Sequence, residues 1–148
     1  MRMLLRLALP FVVSVLATHP ANAASAEVEQ AFLDAYKAAF AAQDVDAFAA
    51  LMQTDGAIEA AVDYYLLNLS VGFGGEVSLT LEDLTAEELV EISGPLPGLD
   101  GQDYVLTPTP YKRLIIDVAG PDGEVGGGAV FVADLGDRIV ISTPAHLD

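Results

Sequence analysis

Asp63, Tyr64 and Tyr65 are consecutive in a stretch whose apolar residues repeat at three and four, and they are the first candidates for acid–base chemistry. A carboxyl drawn into apolar surroundings has a raised pKa and can pass a proton near neutral pH. A phenol beside it can donate a hydrogen bond. Asp103, Tyr104, Tyr111 and Asp117 complete the set of Asp and Tyr residues that could share such a site. Asp63 leads it, being one turn from Leu66 and next to two tyrosines. The competing reading is a solvated helix face with Tyr65 alone in the core.

Other chemistries lack their residues. The chain has no Cys and two His. His19 falls in the leader described below, and His146 reads as a tail residue rather than a base. That leaves no ligand set for zinc or copper. Calcium would need alternating Asp/Asn ligands closed by a Glu, and no segment has that spacing. The expectation is therefore no metal and no cofactor. Ser and Thr nucleophiles have neither a base nor a Gly-x-Ser-x-Gly elbow. Gly126, Gly127 and Gly128 do not open a phosphate-binding helix, and they read as a flexible approach to a strand or a bulge. Glu82, Asp83, Glu87, Glu88 and Glu91 form an acidic cluster that could hold a cation or a basic protein. Its simpler role is charge at a helix N-terminus. Asn68-Leu69-Ser70 matches a glycosylation sequon by chance.

The elements that must position these residues follow from periodicity. Val28, Ala31, Phe32, Ala35, Tyr36, Ala39 and Phe40 line one face of a helix over 27–43. Asp44 caps a short second helix to about Met52, and a third runs from about Ala57 to Leu69. Val77, Leu79 and Leu81 alternate with polar residues, the period of a half-buried strand. Thr85 with Glu88 makes a capping box for a turn of helix to about Glu91. A Gly/Pro loop over 94–101 and a short strand over 104–106 follow. Strands over 113–118, 128–135 and 138–142, with turns at 120–123 and 136–137, complete a β-meander. Helices first and antiparallel strands after them define an α+β class, with helices packed on a curved antiparallel sheet. Phe32, Tyr36, Phe40, Tyr65 and Phe131, with Phe48, Leu66 and Phe73, form the core between the layers or the lining of a pocket for an apolar ligand.

Compartment is read from the first 23 residues. Arg2 and Arg6, the apolar run 7–17 and the small residues Ala21-Asn22-Ala23 have the order of a secretory signal peptide cleaved between Ala23 and Ala24. A spanning helix needs about 20 apolar residues, roughly twice this run. The expected product is a periplasmic or secreted protein whose residues 24–148 make a single domain, with no membrane attachment after cleavage. Its basic residues are then Lys37, Lys112, Arg113 and Arg138 against 22 acidic ones, so the net charge moves from −16 to −18. Such a surface repels nucleic acid and anionic lipid and favours solubility. Without disulfides, stability rests on the core.

Phe32-Leu33-Asp34-Ala35-Tyr36-Lys37-Ala38-Ala39-Phe40, then Gln43-Asp44-Val45-Asp46-Ala47-Phe48, Leu51-Met52 and Asp55, resembles the opening of the nuclear transport factor 2-like superfamily. The resemblance is concentrated in residues 28–55. It implies a cone, in which a strongly curved antiparallel sheet wraps around helices. Enzymes of that superfamily often place a His or Asp with a Tyr or Asp inside the cone, and homodimers are frequent among its members. No catalytic position carries over to a numbered residue here, and fold alone does not assign function.

Three functions stay open at this point. The leading one is non-catalytic binding of a small apolar ligand or a protein partner, which an open apolar cavity would favour. The second is a metal-independent isomerase, cyclase or dehydratase, which an interior Asp–Tyr pair would favour. The third is an envelope structural or assembly role as a homodimer, which a filled cone with an exposed apolar sheet face would favour.

Overall fold

A helix rich in Ala, with apolar residues at three and four, buries one stripe and leaves the other wet. α1 (Ala26–Ala42) does this with Phe32, Tyr36, Ala39 and Phe40 turned inward. Ser25 caps its start and Gln43, in the left-handed region, ends it. Asp44 accepts from the Ala47 amide at 3.0 Å and opens α2 (Val45–Ala50), which buries Phe48. Tyr36, Phe40, Phe48 and Phe73 interlock through edge and stacked contacts, with ring centres 4.8–5.5 Å apart. This computed structural model describes residues 24–98 and 100–147, so the leader over 1–23 and its cleavage point at Ala23 lie outside the described residues.

α3 (Glu59–Leu69) starts without a side-chain cap and leads to a tight turn over 70–75. Gly72 sits in that turn at φ 89°, against the side chain of Val118, where a Cβ would collide. Only glycine fits both the conformation and the space. β1 (Glu76–Asp83) follows, then α4 (Ala86–Ile92), opened by the Thr85–Glu88 capping box. β2 (Leu96–Pro97) and β3 (Asp103–Thr107) lie beyond it. β4 (Lys112–Ala119), β5 (Val125–Asp134), β6 (Ile139–Ile141) and β7 (Thr143–His146) complete the chain.

The α+β class holds, with the strands divided between two antiparallel sheets, ordered β1-β4-β5-β6 and β2-β3-β7. One run of chain serves both, crossing at Ser142. Ser142 and Thr143 are fully buried, yet each hydroxyl has a partner, the Pro108 carbonyl at 2.8 Å and the Gln53 carbonyl respectively. Leu51 and Gln53 exchange backbone hydrogen bonds with Ile141, which fastens the helical layer to the same run.

Two local expectations change. The meander does not stop at Ser142. His146 is the exposed last residue of β7, opposite Tyr104, rather than part of a loose tail. Gly126, Gly127 and Gly128 are not a bulge. They hold regular register with Val118, Asp117 and Ile116, because the hydrogen bonds of a ladder need only backbone.

Candidate functional site: a cavity between α3 and the β4–β5 hairpin

Alternation along three paired strands sets the inner face of the larger sheet. Leu81, Leu114 and Val130 form one cross-strand row; Leu79, Ile116 and Gly128 form the next; Val77, Val118 and Gly126 form the third. In the first row all three strands supply large side chains and the space is filled. In the other two the β5 member has no side chain. A Cβ built at Gly126 or Gly128 would meet nothing within 4 Å. α3 roofs the gap with Tyr65 and Leu69, and the result is a cavity of about 490 Å³. That volume lies within the range of small-molecule sites, roughly 300–1,000 Å³.

Tyr36 reaches this cavity from α1. Its ring is completely buried, and its hydroxyl has no hydrogen-bond partner among the described residues. Burial pushes that hydroxyl above the ordinary tyrosine range, so it stays protonated and able to donate. Burial also raises Tyr65, with the nearby Tyr104 and Tyr64 adding to the effect. At the rim, Tyr64, Val71 and Val125 are 63 %, 67 % and 85 % exposed, an apolar fringe around the opening. Glu124 is the one charged residue among the described residues that line the cavity, and it lies on the exposed turn.

The ion pairs among the described residues lie at the other end of the hairpin. Lys112 bridges Glu29 of α1 at 2.8 Å and Asp83 of β1 at 3.3 Å. The Tyr111 hydroxyl donates to Glu29 at 3.1 Å. The hydrogen bond to Glu29 raises the Lys112 pKa; burial first, and then the Glu29 charge, raise that of Tyr111. Arg113, on the opposite face, joins Glu82 and Glu88 at 3.2 Å each. Hydrogen bonds to Thr85 hold the Glu88 carboxyl below its usual range. Part of the acidic cluster thus serves the capping box and sheet–helix pairing.

The residues expected to carry chemistry are scattered. Asp63 is exposed on α3, and Tyr64 is on the rim. Asp117 is exposed on the outer face of β4, opposite Gly127. Asp103 is exposed on β3, Tyr104 packs in a second cluster with Leu84, Ile92 and Leu106, and Tyr111 serves Glu29. Of the residues expected to line a pocket, Tyr36 and Tyr65 line the cavity. Phe32 and Phe40 are buried in the main core. Phe131 falls one residue after Val130, so the pleat turns it to the other face and into the second cluster. Among the described residues no group of three or more His, Asp or Glu is placed to hold a metal ion. No helix among them is long and apolar enough to cross a membrane.

Gly126 and Gly128 belong to the site without being among the candidates that residue type alone singles out. Their signal was available: counting back by twos from Val132 and Val130 puts Gly128 and Gly126 on the inner face. Comparison with protein-family models, with curated proteins and with solved structures finds no match.

Proposed function

We infer that this is an exported, non-catalytic binding protein that holds a small apolar ligand between α3 and the β4–β5 hairpin. The observation that carries the reading is Tyr36, which lines a largely apolar cavity and whose hydroxyl is buried with no hydrogen-bond partner among the described residues. A buried hydroxyl without a partner costs about 1–3 kcal/mol. A ligand with an oxygen at that point would remove the cost. The likeness of residues 28–55 to the nuclear transport factor 2-like superfamily supports the same reading, as does the signal-like leader, which directs the protein to the periplasm or the medium. The exposed positions of Asp63 and Asp117 leave the catalytic alternative without a buried carboxyl among its first candidates.

The test is native mass spectrometry of the protein recovered from the exported fraction, alongside titration with Nile red, an uncharged apolar dye. A bound small-molecule mass, or saturable one-to-one dye binding that Gly128→Leu abolishes, is the expected result. A bare protein mass together with no saturable dye binding would remove the reading.

A further inference from the structure

The polar inventory of the cavity narrows what it can hold; this step rests on the binding reading above. Among the described residues that line it there is no Lys, Arg or His. The nearest cations in sequence on β4, Lys112 and Arg113, are engaged by carboxylates at the other end of that strand. A carboxylate or phosphate brought to Tyr36 would therefore be a buried anion with no counter-charge in the lining, inside a protein of net charge −16. An ammonium at the same depth fares no better, because the one lining carboxylate, Glu124, lies on the exposed turn. An uncharged oxygen meets neither penalty and satisfies the hydroxyl.

The space also has a direction. It is open where Gly126 and Gly128 lack side chains and closed where Val130 begins the filled row. A ligand body therefore lies along the glycines, with its far end towards the rim residues Val71 and Val125.

We propose that the cavity selects uncharged amphiphiles, an apolar body lying along Gly126 and Gly128 with a single hydroxyl or carbonyl oxygen accepting from Tyr36. Gly128 then determines which bodies fit, and Tyr36 determines which head is accepted. The chemistry is that of a long-chain alcohol or ketone, as opposed to the corresponding acid, amine or alkane.

Displacement of Nile red at pH 7 by five probes of one chain length separates these possibilities: 1-decanol, 2-decanone, decanoate, decylamine and decane. Decanol and decanone are expected to displace best. Decanoate and decylamine should be at least about tenfold weaker, and decane about tenfold weaker, the loss of one hydrogen bond. Tyr36→Phe should bring decanol to the level of decane and leave decane unchanged, the unchanged decane binding being the control that the variant is folded. Gly128→Val should lose all five. Decanoate or decylamine binding as tightly as decanol would overturn the selection of uncharged heads while leaving the cavity reading intact. An undiminished affinity of decanol for Tyr36→Phe would overturn the role of Tyr36. If the dye binds but no probe displaces it, the selection of uncharged amphiphiles is overturned; if no dye binds and the protein mass is bare, the binding reading itself falls, and this inference falls with it.

Discussion

β4 and β5 run side by side from a closed end to an open one, and the two ends are built on opposite terms. At the closed end Lys112 ties the strand to α1 and β1, while Leu114 and Val132 are wholly buried. At the open end, one and two cross-strand rows on, glycine replaces the β5 side chain and the Tyr36 hydroxyl has no partner among the described residues. The register continues unbroken between them. Packing is concentrated where side chains meet; open space is concentrated where they are withheld.

The sharpest way to break this contrast is to open the closed end. Leu114→Ala removes a fully buried side chain from the filled row, between Leu81 of β1 and Val130 of β5, and leaves a cavity there. A loss of about 2–5 kcal/mol is expected from denaturant unfolding. A loss under 1 kcal/mol would mean that the filled row is as slack as the glycine rows.

Neighbouring glycines test the contrast within one strand. Gly127 faces outward, and a Cβ there would collide with the Ile116 carbonyl, whereas one at Gly128 enters open space. Gly127→Ala is expected to destabilise by about 1–3 kcal/mol through forced backbone movement. Gly128→Ala should be neutral or add up to about 1 kcal/mol, since glycine weakens a strand. Equal effects at the two positions would contradict the assignment of faces.

Lys112→Met leaves the Glu29 and Asp83 carboxylates facing each other without their cation. The pair with Glu29 is about four-fifths buried and that with Asp83 mostly exposed, so a loss of about 1–2 kcal/mol is expected. The pH dependence has a definite sign. Lys112, Tyr36, Tyr65 and Tyr111 all have pKa values raised in the folded state. Each keeps its proton in the folded protein after the unfolded chain has lost it. Their stabilisation is full below pH about 10 and is lost as pH rises through the folded values. Unfolding measured from pH 8 to 12 should show that decline, with a shallower slope for Lys112→Met.

Much of this architecture was legible because it is local. The α1 stripe, the Asp44 cap, the Thr85–Glu88 box and the alternation of β1 each depend on residues a few positions apart. What stayed hidden depends on register. Glu29 meets Lys112 and Tyr111, and Tyr36 comes to the same cavity as Gly128, only once β4 and β5 are aligned and α1 is packed against the sheet. Asp63 is a candidate through its neighbours in sequence, but the burial that would make it reactive depends on which way α3 is rotated. That rotation directs Tyr65 inward and leaves Asp63 in water.

Tyr36→Phe is the smallest expected change and the most telling one. The ring stays in place against Phe48, 4.8 Å away, and one oxygen is removed. If the hydroxyl served the fold, its loss would destabilise by about 1 kcal/mol, the usual worth of a hydrogen bond. It has no partner among the described residues, so its removal relieves a desolvation penalty. The ligand-free protein should gain about 1 kcal/mol, and the onset of alkaline unfolding should move to higher pH. The gain should shrink or reverse when decanol is present, because ligand binding stabilises only the state that holds it. A variant more stable alone and less stabilised by ligand would mean that the open end carries a cost retained for binding. A variant less stable under both conditions would assign Tyr36 to the closed, structural half of the molecule.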